Sequence, residues 1–229
     1  MAREQEPLLA AAGWTFAIWG LIFASQLAYA LYQALPAQRT NSVLRRIGWH
    51  TALNALFGGM WTLAFINHQM VAALATMIAM LVNLVIIEDL LGHGAWHGTS
   101  FWFVRAPLGL NLGWIAVATI LNISLFLHGS VGWHGAPLSP LFWSVVMVVV
   151  AALLALAMAL FRRNIAFALA IGWALLGIAD YRRVGAPALA LTALALAVGL
   201  TLVVAMEAIG ISLGRFHVRE EEPAPHAVE

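Results

Sequence analysis

The sequence has no cysteine and no lysine, and little charge of either sign: 9% of its 229 residues are charged. Without cysteine there are no disulfides, thiolate metal sites or cysteine nucleophiles. A soluble domain carries about 25% charged residues, so this chain has too little polar surface to stay in water. Its net charge of +1 leaves no basic patch for a nucleic acid, and none is expected as a partner. No Ser-His-Asp order, phosphate loop or paired carboxylates stand out, so nothing points to a hydrolase or an ATPase. No soluble domain, linker or short tandem repeat is visible either.

What is there is apolar. Hydrophobic residues make up 63% of the chain and the mean hydropathy is +0.90. Apolar stretches at 11–35, 47–66, 70–91, 106–128, 140–161, 164–180 and 186–213 are long enough, or nearly so, for the ~20 residues that cross a bilayer as helix. The expected fold is all-α, a polytopic transmembrane bundle of about seven spans. The stretch at 164–180 is the weakest, being short and flanked by charge. The N-terminus reads as uncleaved, because its apolar run is long enough to span.

Orientation follows from arginine. Arg39, Arg45, Arg46, Arg105, Arg162, Arg163, Arg215 and Arg219 fall on one side, Arg3, Arg182 and Arg183 on the other. That places the C-terminus in the cytoplasm and the N-terminus outside. All-arginine basicity with abundant alanine suggests a GC-rich bacterial source, hence an inner (cytoplasmic) membrane.

Polar side chains in hydrocarbon are costly and usually face a bundle interior or a cavity. Trp19, Phe23, Gln26 and Gln33 fall on one stripe of the first span. His50, Asn54, Phe57 and Trp61 do so on the second, and Asn111, Trp114 and Asn122 on the fourth, with Ala118 between. Such stripes either join helix to helix or line a pocket for a flat, mostly apolar ligand. Trp96, Trp102, Trp133 and Trp143 lie at span ends, as in an interfacial belt; Trp173 lies deeper. Gly58-Gly59 suits close helix approach or a bend.

Asp89, His93 and His97 are spaced by four, which on a helix would stack a carboxylate and two imidazoles suited to zinc or iron. Gly92 and Gly94 argue against the helix, so no metal is expected. Glu207 lies inside the last span, near its end. Leu176, Tyr181 and Arg183 satisfy a loose cholesterol-contact pattern.

The run Gly13-Trp14-Thr15-Phe16-Ala17-Ile18-Trp19-Gly20-Leu21-Ile22-Phe23 resembles the Trp-rich helix of the tryptophan-rich sensory protein (TspO, translocator protein) family. Leu53-Asn54 resembles the start of that family's next block, and Trp114, Thr119, Leu121 and Asn122 resemble its Trp-x-x-x-x-Thr-x-Leu-Asn helix. The resemblance covers residues 11–128. It divides the chain into a tail (1–10), a four-helix TspO-like region (11–128), three additional helices (129–214) and a disordered cytoplasmic tail (215–229). The family's five helices, and its Trp and Pro after the Leu-Asn, are not matched. The resemblance implies binding of tetrapyrroles or sterol-like lipids between helices, sensing or transport, and homodimers, with Trp19, Asn54, Trp114 and Asn122 at the pocket.

The reading is therefore a membrane protein that binds, senses or transports a flat hydrophobic ligand. Its partners are the lipid bilayer and a hydrophobic small molecule. No cofactor is required; a bound tetrapyrrole or carotenoid is the pigment to look for. Two other readings stay open. One is a membrane enzyme acting on a carotenoid, isoprenoid or tetrapyrrole, with Glu207 or the Asp89–His97 group in acid–base roles. The other is a structural subunit of a larger pigment–protein complex.

Overall fold

The structure is a computed structural model. It describes residues 7–92 and 96–220, the last ten of these as helical backbone alone. Among the described residues there is helix and no strand. A 3₁₀ turn, Gly13–Ala17, runs into α1, Ile18–Ala34. Then come α2, Ser42–Ile66, and α3, Met70–Leu91. A short α4, Gly98–Ser100, continues through a π stretch, Phe101–Arg105, into α5, Ala106–Gly129. The last helices are α6, Pro140–Arg162, α7, Ile165–Arg182, and α8, Pro187–Glu220.

The helix starts have local causes. Asn41 Oδ1 accepts from the amides of Val43 and Leu44, Ser139 Oγ from Phe142, and Asn164 Oδ1 from Phe167. Each satisfies amides that a helix start leaves without a partner. Arg163 takes a left-handed conformation, φ 50°, to close α6 directly before Asn164 opens α7.

Six helical stretches are long and apolar enough to cross a membrane, and α2 is not among them. Its position supplies what its composition lacks. It turns back onto α3 through Asn67–Gln69, and the two helices pack closely. Midway, Asn83 of α3 donates to the His50 carbonyl at 2.8 Å. At the far end, Arg46 donates to the Leu90 carbonyl. A 25-residue helix lying along a spanning partner crosses with it.

The weak stretch at 164–180 becomes α7, the most buried span. It packs on α5, α6 and α8. A helix facing protein on most sides needs small residues more than large apolar ones. Ala166, Ala168, Ala170, Ala174 and Gly177 are buried along it. The close approaches are not at Gly58-Gly59, where a Cβ would have open space around it. They are at Gly109 and Gly113 on α5 and at Gly177 on α7. A Cβ on Gly113 would lie 2.6 Å from the Phe167 carbonyl oxygen.

The chain before α1 is packed as well. Leu9 is buried, and the Ala12 amide donates to the Gly177 carbonyl at 3.0 Å. Arg182 donates to the carbonyls of Leu8 and Pro7 at 2.7 and 2.6 Å. Residues 7–12 thus form a strap along the end of α7.

Candidate functional site at the tryptophan centre

The three stripes converge. Trp19 of α1 stacks on Trp61 of α2, with centroids 6.0 Å apart and planes 24° from parallel. Trp19 also meets Trp114 of α5 edge-on at 6.1 Å. Phe16, Phe23 and Phe65 extend the cluster through Trp114, Trp19 and Trp61 respectively. The backbones of α1 and α2 scarcely touch; α1 rests on α5 and α2 on α3. Side chains bridge the seam between them: Trp19 on Trp61, and Tyr29 OH donating to Thr51 Oγ1 at 3.5 Å.

Several polar atoms on the stripes that carry these indoles have no partner among the described residues. Asn54, Asn111 and Trp114 are all at least nine-tenths buried. Among the described residues, Asn54 Oδ1, both amide atoms of Asn111 and the indole nitrogens of Trp61 and Trp114 have no hydrogen-bond partner. A buried polar group left unpaired costs about 1–3 kcal/mol, and most such groups in folded proteins are paired.

The family model for TSPO-like proteins matches residues 1–206. The chain belongs to the TSPO-like family. No curated protein and no solved structure matches it. The match continues past residue 128, where the quoted motifs end, and takes in α6, α7 and part of α8.

Within this TSPO-like chain the stripe residues separate into two groups. Trp19, Trp61 and Trp114 meet at the centre, Asn54 and Asn111 are buried on the stripes of α2 and α5 that carry two of those indoles, and Phe57 packs half-buried against the core. The others are differently engaged. His50 is turned to α3, its Nδ1 2.9 Å from Asn83 Oδ1. Asn122 is half-buried and donates to the Ala118 carbonyl of its own helix at 2.8 Å. Phe23 is largely exposed, Gln33 is exposed and Gln26 is half-buried.

The spacing of Asp89, His93 and His97 does not make a helical face, because α3 ends at Leu91 and Gly92 follows with φ 75°. His93 lies outside the described residues. Asp89 instead approaches Arg162, 3.4 Å away. Among the described residues no cluster of three potential ligands suits a metal ion.

Arg105 is not a loop residue. It closes the π stretch, is 1% exposed, and donates in parallel to both carboxylate oxygens of Glu88 at 2.7 Å. It also donates to the Arg162 carbonyl at 2.9 Å, and Asn164 Nδ2 donates to Glu88 Oε2 at 2.9 Å. Gly109 lies under Asn164, where any side chain would collide with the amide. This lock joins α3, α5 and the α6–α7 turn. It was readable only as a basic residue close to a span and an acid at the end of another. Gly109 and Gly113 carry the Gly-x-x-x-Gly spacing that signals helix contact in membranes, whereas Asn83 has no signal beyond being an amide inside a span.

Two clefts lie away from the tryptophan centre. One, of about 520 Å³, is bounded by the strap and the ends of α5 and α6. The other, of about 410 Å³, is an apolar groove between α1, α5, α7 and α8 that includes Leu176 and Trp173. Trp173 donates to the Thr15 carbonyl at 2.8 Å. Tyr181 lies under the Arg182 guanidinium, and Glu207 is half-buried on α8.

Proposed function

We propose that the tryptophan centre binds a flat, mostly apolar ligand of the tetrapyrrole or sterol and isoprenoid kind, for sensing or transport. The observation that carries this reading is the set of unpartnered polar atoms on α2 and α5, two helices whose indoles meet the Trp19 indole of α1. Packing alone gains nothing from leaving them unpaired, whereas a ligand with a few acceptors and donors on an apolar frame would pair them. The seam between α1 and α2, closed by two indoles, is where such a ligand would slide between aromatic faces. Membership of the TSPO-like family supports the same class of ligand.

The test uses protein in nanodiscs and quenching of tryptophan fluorescence by protoporphyrin. Wild type should show saturable quenching. Asn111→Leu removes two unpartnered amide atoms at similar volume. It should weaken binding about fivefold, the worth of roughly 1 kcal/mol, while leaving the melting temperature unchanged or higher. An amide that only joined helices would show the reverse pattern. Trp49→Ala, on a side chain that is 85% exposed, is the control and should bind as wild type does. Absence of saturable quenching in wild type would remove the reading.

The same proposal includes an orientation. With Arg105 neutralised by Glu88, seven arginines (Arg39, Arg45, Arg46, Arg162, Arg163, Arg215, Arg219) still face three (Arg3, Arg182, Arg183). On this balance the C-terminus lies in the cytoplasm and the N-terminus outside in our reading, and the composition suggests that the membrane is a bacterial inner membrane. Reporter fusions at Gln38 and after Arg219 should both report cytoplasm. Opposite answers would mean that one helix does not cross.

A further inference from the structure

The indoles of the tryptophan centre restrict what can complete it. An indole N–H donates and cannot accept. The indole nitrogens of Trp61 and Trp114 are buried and have no hydrogen-bond partner among the described residues. They belong to different helices, yet both rings meet Trp19, with centroids 6.0 and 6.1 Å away. Asn111, one turn before Trp114 on the same stripe, adds an unpartnered amide N–H. What these donors lack is acceptors. The helices that carry them keep charge at a distance. α1 has no charged residue. On α2 the nearest is Arg46, roughly 22 Å of helix before Trp61. On the way into α5 it is Arg105, roughly 13 Å of helix before Trp114, and Glu88 already neutralises it. On α7, which packs against α5, Asp180 accepts from Trp14.

The ligand that fits is therefore flat, uncharged and rich in acceptors. Resting on the reading that this centre binds a flat ligand, we propose that the ligand is a quinone with an isoprenoid tail. Its ring lies against Trp19, and its carbonyl oxygens accept from the indoles of Trp61 and Trp114. Because both indoles meet the one Trp19 ring, a head group not much larger than that ring can reach both. The tail leaves along the seam between α1 and α2, whose backbones scarcely touch, and so reaches lipid without crossing a packed interface. A sterol offers a single hydroxyl to the two indoles. The carboxylates of a porphyrin would have to reach out of the centre, since an ionised group inside the membrane needs a counter-charge that these helices do not place there. A quinone carries two neutral acceptors on opposite edges of one ring and has neither difficulty.

The experiment is equilibrium binding of radiolabelled decylubiquinone to the full chain in phosphatidylcholine nanodiscs, with empty nanodiscs as the blank. Saturable one-to-one uptake above the blank is expected. The infrared carbonyl stretch of the bound quinone should lie below its position in empty nanodiscs, as a carbonyl that accepts a hydrogen bond does. Trp61→Phe and Trp114→Phe keep an aromatic ring and remove one N–H each. Each should weaken binding about fivefold and reverse part of the infrared shift. Decylbenzene, which has a ring and tail but no acceptor, should compete about tenfold less well than unlabelled decylubiquinone. Uptake equal to the blank, an unshifted band, wild-type affinity in either variant, or equal competition by decylbenzene would each overturn the proposal. The wild-type band decides the matter even where a variant fails to fold. Protoporphyrin quenching, measured on the same preparation, separates the two readings: quenching without quinone uptake removes the quinone alone, and absence of both removes the ligand site with it.

Discussion

Glu88→Ala should destabilise the protein by about 3–5 kcal/mol, the cost of leaving one half of a buried ion pair behind. The half left behind is Arg105, 1% exposed and unable to shed its proton. It would lose two charge-assisted bonds, and Asn164 would lose the acceptor that fixes the α6–α7 turn. Arg105→Met should be comparably damaging, since it strands a carboxylate. The double variant Glu88→Leu/Arg105→Met should be more stable than either single variant, because no unpaired charge remains. Thermal unfolding in detergent, followed by helical circular dichroism, measures all three. If Glu88→Ala melts like the wild type, the lock contributes nothing to the fold.

Gly113→Leu should cost about 3 kcal/mol, at the upper end of what overpacking usually costs. A Cβ there already lies 2.6 Å from the Phe167 oxygen and 2.8 Å from the Ala170 Cβ, so α5 and α7 would have to separate. Because α7 is the buried centre of the bundle, its displacement disturbs α6 and α8 as well. Gly172→Ala is the matched control. It sits on the same helix pair with open space around its Cβ. A helical Gly→Ala change in open space should be neutral or stabilising by up to about 1 kcal/mol. The same melts test it, and equal behaviour of the two variants would show that contact at Gly113 is not the determining feature.

These two sites mark the boundary of what the sequence reveals. All seven long helices were readable as runs of helical length, six of them apolar enough to span on composition alone, because lipid imposes that length directly. The stripes through Trp19, Trp61 and Trp114 were readable because helical spacing places residues on one face whatever the neighbours are. Which face meets which helix was not. His50 and Asn122 shared the spacing of the centre, yet one turned to α3 and the other to its own backbone. The Glu88–Arg105 pair was hidden because an arginine beside a span end looks the same whether it faces water or a carboxylate 17 residues away. The contacting glycines were hidden for a similar reason: Gly58-Gly59 and Gly109 with Gly113 differ only in what lies opposite.

The strap along α7 has a consequence for how the chain is made. Its bonds join residues far apart in sequence: Trp14 to Asp180 across 166 residues, and Arg182 to Leu8 across 174. During synthesis at about 5–20 residues per second, the segment from Pro7 to Thr15 must wait on the order of ten to thirty seconds before its partners leave the ribosome. Until α7 emerges, α1 is held by lipid and, once residues 106–129 have been made, by α5. The N-terminal segment is thus the first part of the fold to be translated and among the last to be seated.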